Sequence, residues 1–266
     1  MSNIKAMKIS IIGNGNLAQN LVKTFQKNTY KLVEMYALDY QKLQEFCVSR
    51  KIHALKNIAD LNTDVDFLII SVSDSALPQL LKQIPKGKYT VLHTSGALPI
   101  SVFQGTKIKN YGVFYPLYSF LKQESVSFRS IPIMLEASNT EILESMKLFS
   151  KSISDRTIEV SSKDRLWYHL SAVLVNNFSN HLWSITQEIL SESHLDFDHL
   201  KPILEQTCRR ALDSDNIQAL QTGPAKRNDT NIIASHLSIL EKYPDLSELY
   251  KKMSQLIIDK HKDTRI

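Results

Sequence analysis

The sequence predicts an α/β protein: a doubly wound, mainly parallel sheet over residues 1–160, followed by an all-α region over 161–266. Three observations predict it. Apolar strand-like runs alternate with amphipathic, helix-period stretches up to about residue 160, a pattern that builds parallel strands covered by helices on both faces. Beyond that point helical patterns follow one another without strands. The seven glycines all fall at or before Gly112 except Gly223, so the second part lacks the turns that a β-domain needs.

The strands are expected at 7–12, 32–38, 66–72, 90–93 and 131–135, with a weaker run at 110–114. Helices are expected between them at 17–27, 40–50, 76–83 and 140–152. One long helix without Gly or Pro should run over 163–193, and shorter ones over 198–214, 229–241 and 247–262.

Bulk properties exclude several classes. The chain has 266 residues, 43% hydrophobic and 22% charged, which suits an ordinary globular protein. Its net charge is +5, but the lysines and arginines are scattered rather than clustered. That favours an anionic ligand over a nucleic-acid groove, which needs a basic stripe with interleaved aromatics. No run approaches the roughly 18 apolar residues of a membrane span, and the first residues carry no signal-peptide pattern. Cys47 and Cys208 match no metal or redox spacing. Both are expected to be free and mostly buried in a reducing cytoplasm, and no metal site is expected.

The most informative motif is Gly13-Asn14-Gly15-Asn16-Leu17-Ala18, directly after the first strand and opening the first helix. Gly13 allows the tight turn, Gly15 lets the backbone approach a pyrophosphate, and Ala18 keeps the helix close to the strand. Asn14 and Asn16 leave room and add donors. The helix N-terminus then faces the phosphates, which makes this a Rossmann-like dinucleotide loop. Asp39 ends the second strand, where a carboxylate binds the ribose hydroxyls of NAD; it is equally placed to cap the helix from Tyr40. Lys42, close by, keeps NADP open. Ligands in such sheets lie beyond the carboxyl ends of the strands, so Ser71, Val72, Ser73 and Asp74 are candidate walls of the cofactor site. Capping the helix at 76–83 is the preferred role for Asp74. At the end of the next strand, His93 reads as a satisfied structural histidine, while Ser95 and Gly96 suit backbone contact with the nicotinamide.

In the helical half, an unbroken α-helix would place His169, Asn176, Asn180 and Gln187 within roughly 20° of one line, with Asn177 and Ser184 on its flank. Trp167, Leu170, Leu174, Phe178, Leu182, Ile185 and Ile189 occupy the opposite face. A polar line of amides and imidazole suits a cleft that demands directed hydrogen bonds. Thr222-Gly223-Pro224 forms a fixed turn, Asp229 is placed to cap the next helix, and Arg227 between them can hold a carboxylate or phosphate.

These motifs, with Gly112-Val113-Phe114-Tyr115-Pro116-Leu117, Trp167-Tyr168-His169 and Ile233…His236-Leu237, resemble two-domain NAD(P) oxidoreductases. That family has a Rossmann-like half and an uncharacterised helical C-terminal domain. Its distant relatives are pyrroline-5-carboxylate reductase, ketopantoate reductase and deazaflavin-dependent NADP oxidoreductase. The resemblance implies NADP or NAD in the first half and places Ser95, His169, Asn177 and the 223–229 loop near the cleft. It departs at Tyr115, where the family often has histidine. The chain then has Tyr115 or His169 for the proton.

The first expectation is hydride transfer between NAD(P)(H) and a small carbonyl or imine. His169 would be the acid/base, Asn177 would orient the substrate, Arg227 would hold an acidic group and Ser95 would sit beside the nicotinamide. No lysine stands out as the base of a hydroxyacid branch. The alternative is a non-catalytic NAD(P)-binding sensor or a dimeric interaction protein. A homodimer through the helical region is expected in either case.

Overall fold

The computed structural model describes residues 7–27, 30–122 and 124–262. It divides into two compact units, Met1–Trp183 and Ser184–Ile266.

The first unit is built on a sheet that has eight strands among the described residues. They are β1 (Lys8–Ile12), β2 (Lys31–Tyr36), β3 (His53–Leu55), β4 (Phe67–Ile70), β5 (Thr90–His93), β6 (Tyr111–Pro116), β7 (Ile133–Ala137) and β8 (Thr157–Glu159). Their order is β3-β2-β1-β4-β5-β6-β7-β8, and every pair is parallel except β6–β7. The reversal from β2 to β4 on either side of β1 is the switch point where such sheets open a ligand crevice. Two strands escape the hydropathy pattern. β3 and β8 have three residues each, too few to show a period. The run at 110–114, weak in sequence, extends as β6 to Pro116 and thereby includes Tyr115.

Alternating side chains divide the core between two faces. Ile9 and Ile11 pack with Leu21 and Phe25 of α1 (Asn16–Gln26) and with Met146 and Phe149 of the helix after β7. Ile12, Leu68 and Ile70 pack on the other side with Leu77, Leu81, Val91 and Phe103. Each fully buried side chain of this size contributes about 1.5–3 kcal/mol, so both layers are needed to hold the strand ends in register.

The remaining helices of this unit are α2 (Tyr40–Val48), α3 (Leu77–Leu81), α4 (Thr140–Ile153) and α5 (Ser162–Ala172). Asn139 caps α4 by accepting from the Ile142 amide at 3.0 Å, and Ser161 caps α5 by accepting from the Asp164 amide at 3.1 Å. Asp74 does not cap α3. That helix starts later than its sequence pattern, its N-cap is Ala76, and no side chain bonds its first turn.

The helix expected over 163–193 is continuous but not wholly α. A π-helical turn at Val173–Phe178 separates α5 from α6 (Ser179–Glu192). An i→i+5 turn admits one extra residue, which turns everything after it back by about 100°. Asn180 therefore leaves the line of His169, while His181 moves toward it. The polar stripe read from straight α-helical phase is corrected accordingly.

The second unit holds the end of α6 with α7 (Lys201–Asp213), α8 (Pro224–Arg227), α9 (Thr230–Ile239) and α10 (Pro244–Lys260). Ala225 of α8 and Ser254 of α10 are buried within it. Asp229 caps α9, its carboxylate accepting from the Ile232 amide at 3.2 Å, as the sequence suggested. Gly223 (φ +97°) and Asn228 (φ +56°) bracket the short α8 with backbone that favours Gly and Asn. Among the described residues no helix is long and apolar enough to cross a membrane. Cys47 is buried, and burial pushes its thiol up to about 11. Cys208 is exposed on α7, which corrects its expected burial.

Candidate functional site

The loop from β1 to α1 has the geometry its glycines predict. Gly13 has φ +119°, and a Cβ there would lie 2.0 Å from the Ser71 carbonyl oxygen. Only glycine lets β1 and β4 end this close together. Gly15 is the N-cap of α1, and a Cβ there would meet nothing within 4 Å. Among the described residues no side chain caps α1, and its first turn carries no acidic residue. Free amides and positive dipole thus open onto space beyond Gly15, which fits the pyrophosphate of a dinucleotide. Ala18 is fully buried against the sheet.

The two asparagines behave differently from expectation. The Asn16 amide donates to the Phe120 carbonyl at 2.7 Å. Asn14 donates to the Lys42 carbonyl at 3.3 Å and accepts from Gln19 at 2.9 Å. These amides fasten the loop to its neighbours, so the donors left for an anion are those of the backbone. Leu17 is half-buried and packs against the core.

Asp39 caps α2 through the Lys42 amide at 3.1 Å and pairs with the Lys42 ammonium at 2.8 Å. Hydrogen bonds from Lys42 hold its carboxyl below the usual range. Capping was one of its two readings, and both carboxylate oxygens are engaged. Ser71 and Val72 are half-buried beyond β4; Ser73 and Asp74 are exposed.

The second half of the site gathers around Gly96. Ser95 is held within its own turn: its Oγ accepts from the Ala97 and Leu98 amides at 3.1 and 2.9 Å, and its amide donates to His93 Nδ1 at 3.2 Å. That turn brings Gly96 against Tyr115 and His169. A Cβ on Gly96 would lie 2.7 Å from both His169 Nδ1 and Tyr115 Cζ. The Tyr115 hydroxyl and His169 Nδ1 share a hydrogen bond of 3.1 Å, which joins β6 to α5. Burial raises the Tyr115 hydroxyl, Arg165 opposes that rise and Asp74 adds to it.

His93 is fully buried, stacked on Phe103 with ring centroids 5.6 Å apart. Burial first, and Arg165 second, depress it to about 3, so it is neutral; its Nε2 is buried without a hydrogen-bond partner among the described residues, which corrects the expectation of a satisfied histidine. Arg165 itself is absent from the sequence reading. Its side chain has no solvent exposure and is ion-paired with Glu136, and it donates to the Leu98 carbonyl at 2.6 Å. The available signal was its spacing: it precedes His169 by one helical turn.

The structure therefore brings together Tyr115 and His169, the two residues expected to serve for the proton, against the Gly96 that follows Ser95. Asn177 lies in the π turn, exposed. Arg227 belongs to the second unit, where it is exposed and makes no ion pair with a described residue. A separate cavity lined by Met7, Asp64, Asp66, Lys86, Lys88 and Ser145 lies at the amino ends of β1, β4 and β5. That is the end of the sheet opposite to where such folds bind ligands. Among the described residues no group of acidic, histidine or cysteine side chains could hold a metal ion.

A mainly parallel sheet with a glycine turn at its switch point and an uncapped helix N-terminus defines a Rossmann-like, dinucleotide-binding class of fold. Comparison identifies the family. Residues 8–94 match the family model of coenzyme F420-dependent NADP oxidoreductases, and residues 131–257 match a domain of unknown function, DUF2520. The chain is 34% identical to a provisionally assigned NADP oxidoreductase of Bacteroides fragilis, covering 97% of this chain and 100% of that one, with a TM-score of 0.89. It belongs to this family of NADP oxidoreductases. The fold extends to 1-pyrroline-5-carboxylate reductase of Streptococcus pyogenes (14% identity, 96% and 99% coverage, TM-score 0.65). It extends equally to a reductive aminase of Aspergillus terreus solved with NADPH (10%, 98% and 100%, 0.74). A comparison with curated proteins gave no match.

Proposed function

We propose that the chain is an NADP(H)-dependent reductase that delivers hydride to a small carbonyl or imine and a proton to its oxygen or nitrogen. The observation that carries this is the Tyr115–His169 pair at 3.1 Å against Gly96, just past the carboxyl end of β5. It supplies a proton donor at the sheet edge where the cofactor lies in this fold. The nicotinamide supplies the hydride when bound. The amides of Gly15, Asn16 and Leu17 hold the pyrophosphate, and Gly13 and Ala18 keep strand and helix close enough to present them. Ser71, Val72, Ser73 and Asp74 wall the cofactor, and the Ser95 turn flanks the nicotinamide. Lys42, already beside Asp39, neutralises the 2′-phosphate of NADP, whereas Asp39 would meet the ribose hydroxyls of NAD.

His169 is the acid/base, with the Tyr115 hydroxyl passing the proton, and Asn177 orients the substrate. Arg227 holds an acidic group on the substrate. In this reading residues 1–160 carry the cofactor, and 161–266 carry substrate binding and dimerisation. Trp167, Leu170, Leu174, Val175 and Phe178 are all exposed, Val175 at 74%, which favours burial against a second copy. Free cysteines suit a cytoplasmic enzyme.

The test is NADPH oxidation against a panel of ketoacids, aldehydes and cyclic imines. Turnover that falls at least a hundredfold in His169→Ala and Tyr115→Phe supports the reading. Turnover unchanged in both overturns the proton assignment. Tight NADPH binding without turnover on any substrate favours the sensor. Light scattering that finds a monomer at micromolar concentration overturns the dimer.

A further inference from the structure

We propose that Arg165 is the positioning residue of the Tyr115–His169 pair, tying the Gly96 loop and β7 to the helix that carries His169 and fixing the Tyr115 hydroxyl as the group that gives up the proton. The inference rests on the proton-donor reading above and extends it to a residue that touches neither substrate nor cofactor.

Register places the parts. His93 pairs with Val113 between β5 and β6, and Val113 pairs with Glu136 between β6 and β7. Paired residues share a face, and so do residues two apart on a strand. His93, Val113, Tyr115 and Glu136 therefore stand on one face of the sheet. Arg165, from α5, lies over that face.

Its guanidinium is tied to three elements at once. It pairs with Glu136 on β7, donates to the Leu98 carbonyl in the loop after β5, and reaches Ser162 on its own helix at 3.4 Å. Ser162 completes the knot by donating to Glu136 at 2.7 Å and accepting from the Ile100 amide at 2.9 Å. The segment that follows Gly96 is thus anchored at both Leu98 and Ile100. His169 follows Arg165 by four residues and so lies about 40° around the same helix. Fixing Arg165 fixes the height and rotation at which His169 meets Tyr115.

The charge acts as well as the geometry. Arg165 is wholly buried and its Nε has no hydrogen-bond partner among the described residues, so its charge is felt by groups beyond Glu136. It opposes the rise that burial imposes on the Tyr115 hydroxyl, and it helps to keep His93 neutral. The groups that face or act on Tyr115 are Arg165 and His169 from α5, Asp74 beyond β4, His93 on β5 and Glu136 on β7. Arg165 is a permanent cation, and a nearby cation favours release of a phenolic proton.

The experiment follows the Tyr115 phenol by carbon-13 NMR in full-length protein labelled at tyrosine Cζ, the signal being assigned by its loss in Tyr115→Phe. Arg165→Met should move the Tyr115 titration to higher pH, and Arg165→Lys should restore part of the displacement. Glu136→Gln, which leaves the guanidinium without its counter-charge, should move it the opposite way. A role in packing alone would lower the melting temperature without shifts of opposite sign. An unmoved Tyr115 titration in folded Arg165→Met overturns the proposal. If Arg165→Met does not fold, Glu136→Gln decides, since an unmoved titration there overturns it equally. Turnover separates this from the proton-donor reading. Shifted titrations with full activity in Tyr115→Phe would keep the coupling and sink the catalytic role, and unshifted titrations with lost activity would do the reverse.

Discussion

Gly96→Ala is the sharpest test of the site, because one methyl group is aimed at the hydrogen bond in question. The added Cβ would stand 2.7 Å from both His169 Nδ1 and Tyr115 Cζ, well inside van der Waals contact. Gly96 does not have the positive φ of Gly13, so backbone strain does not confuse the result. Two routes relieve the clash. If both rings hold their places, overpacking costs about 1–3 kcal/mol. If half-buried His169 swings away, the clash disappears but the hydrogen bond goes with it, costing about 1 kcal/mol. The cheaper route prevails, so the expected loss is about 1–2 kcal/mol in urea unfolding with an unchanged m-value, a small part of a stability of about 5–15 kcal/mol. Turnover should fall by about 10²–10⁴-fold, the usual worth of a general acid. The nitrogen-15 shift of His169 Nδ1 should move as the bond breaks. Native stability together with an unmoved Nδ1 signal would refute the described packing of Gly96.

Three further outcomes follow from the same geometry. Gly15→Ala should leave stability within about 0.5 kcal/mol, because its Cβ meets nothing within 4 Å. It should still weaken NADPH binding at least tenfold in calorimetry, and unchanged affinity would remove Gly15 from the phosphate site. Lys42→Gln should cost NADPH affinity and spare NADH, with little change in stability, since the Asp39–Lys42 pair is exposed. Equal losses for both cofactors would place the 2′-phosphate elsewhere. His93 gives a signature in pH. Its folded value of about 3 lies below the ordinary 6.5, so the unfolded chain binds the proton more readily. Its contribution to stability is complete above about pH 6.5 and is lost as pH falls toward 3, with a slope of up to about 1.4 kcal/mol per pH unit. Unfolding of the protein and of His93→Leu across that range should differ by this slope, and parallel curves would mean that His93 is not buried and neutral.

Much of the fold was legible because it repeats locally. Each β1–α1 type unit carries its own strand period, turn residues and helix period, and Gly13, Gly15 and Ala18 fall within six consecutive residues. The two short strands were not legible, because three residues cannot display alternation. The π turn was not legible either. Its segment, Val173–Phe178, has no Gly or Pro to announce a break, and the one-residue change of phase appears only when the hydrogen bonds are followed. Asp74 shows a different limit. An acidic residue two positions before a helical pattern suits a cap only if the helix begins where the pattern does, and α3 begins at Leu77.

The two halves of the site differ in how they are made, and that explains what could be read. The cofactor half is made by backbone: a positive φ at Gly13, empty space at Gly15 and an uncapped helix end. Glycine positions encode these directly. The chemical half is made by side chains from distant segments. Tyr115 and His169 are 54 residues apart, and Arg165 reaches Leu98 across 67. Neither separation has a period or a motif. His169 was found because imidazole is conspicuous on a helix, while Arg165 looked like one more surface charge among 32 lysines and arginines. Its burial reverses that reading, since an arginine without solvent must be held by a partner and acts on whatever lies within reach. The same reasoning ranks the candidate residues. Tyr115 and His169 touch each other and the Gly96 turn, whereas Asn177 rests on helical phase and Arg227 on its place between the Gly223 turn and Asp229. If turnover is found, substitutions at the first two should lower kcat, and those at the last two should act mainly on KM.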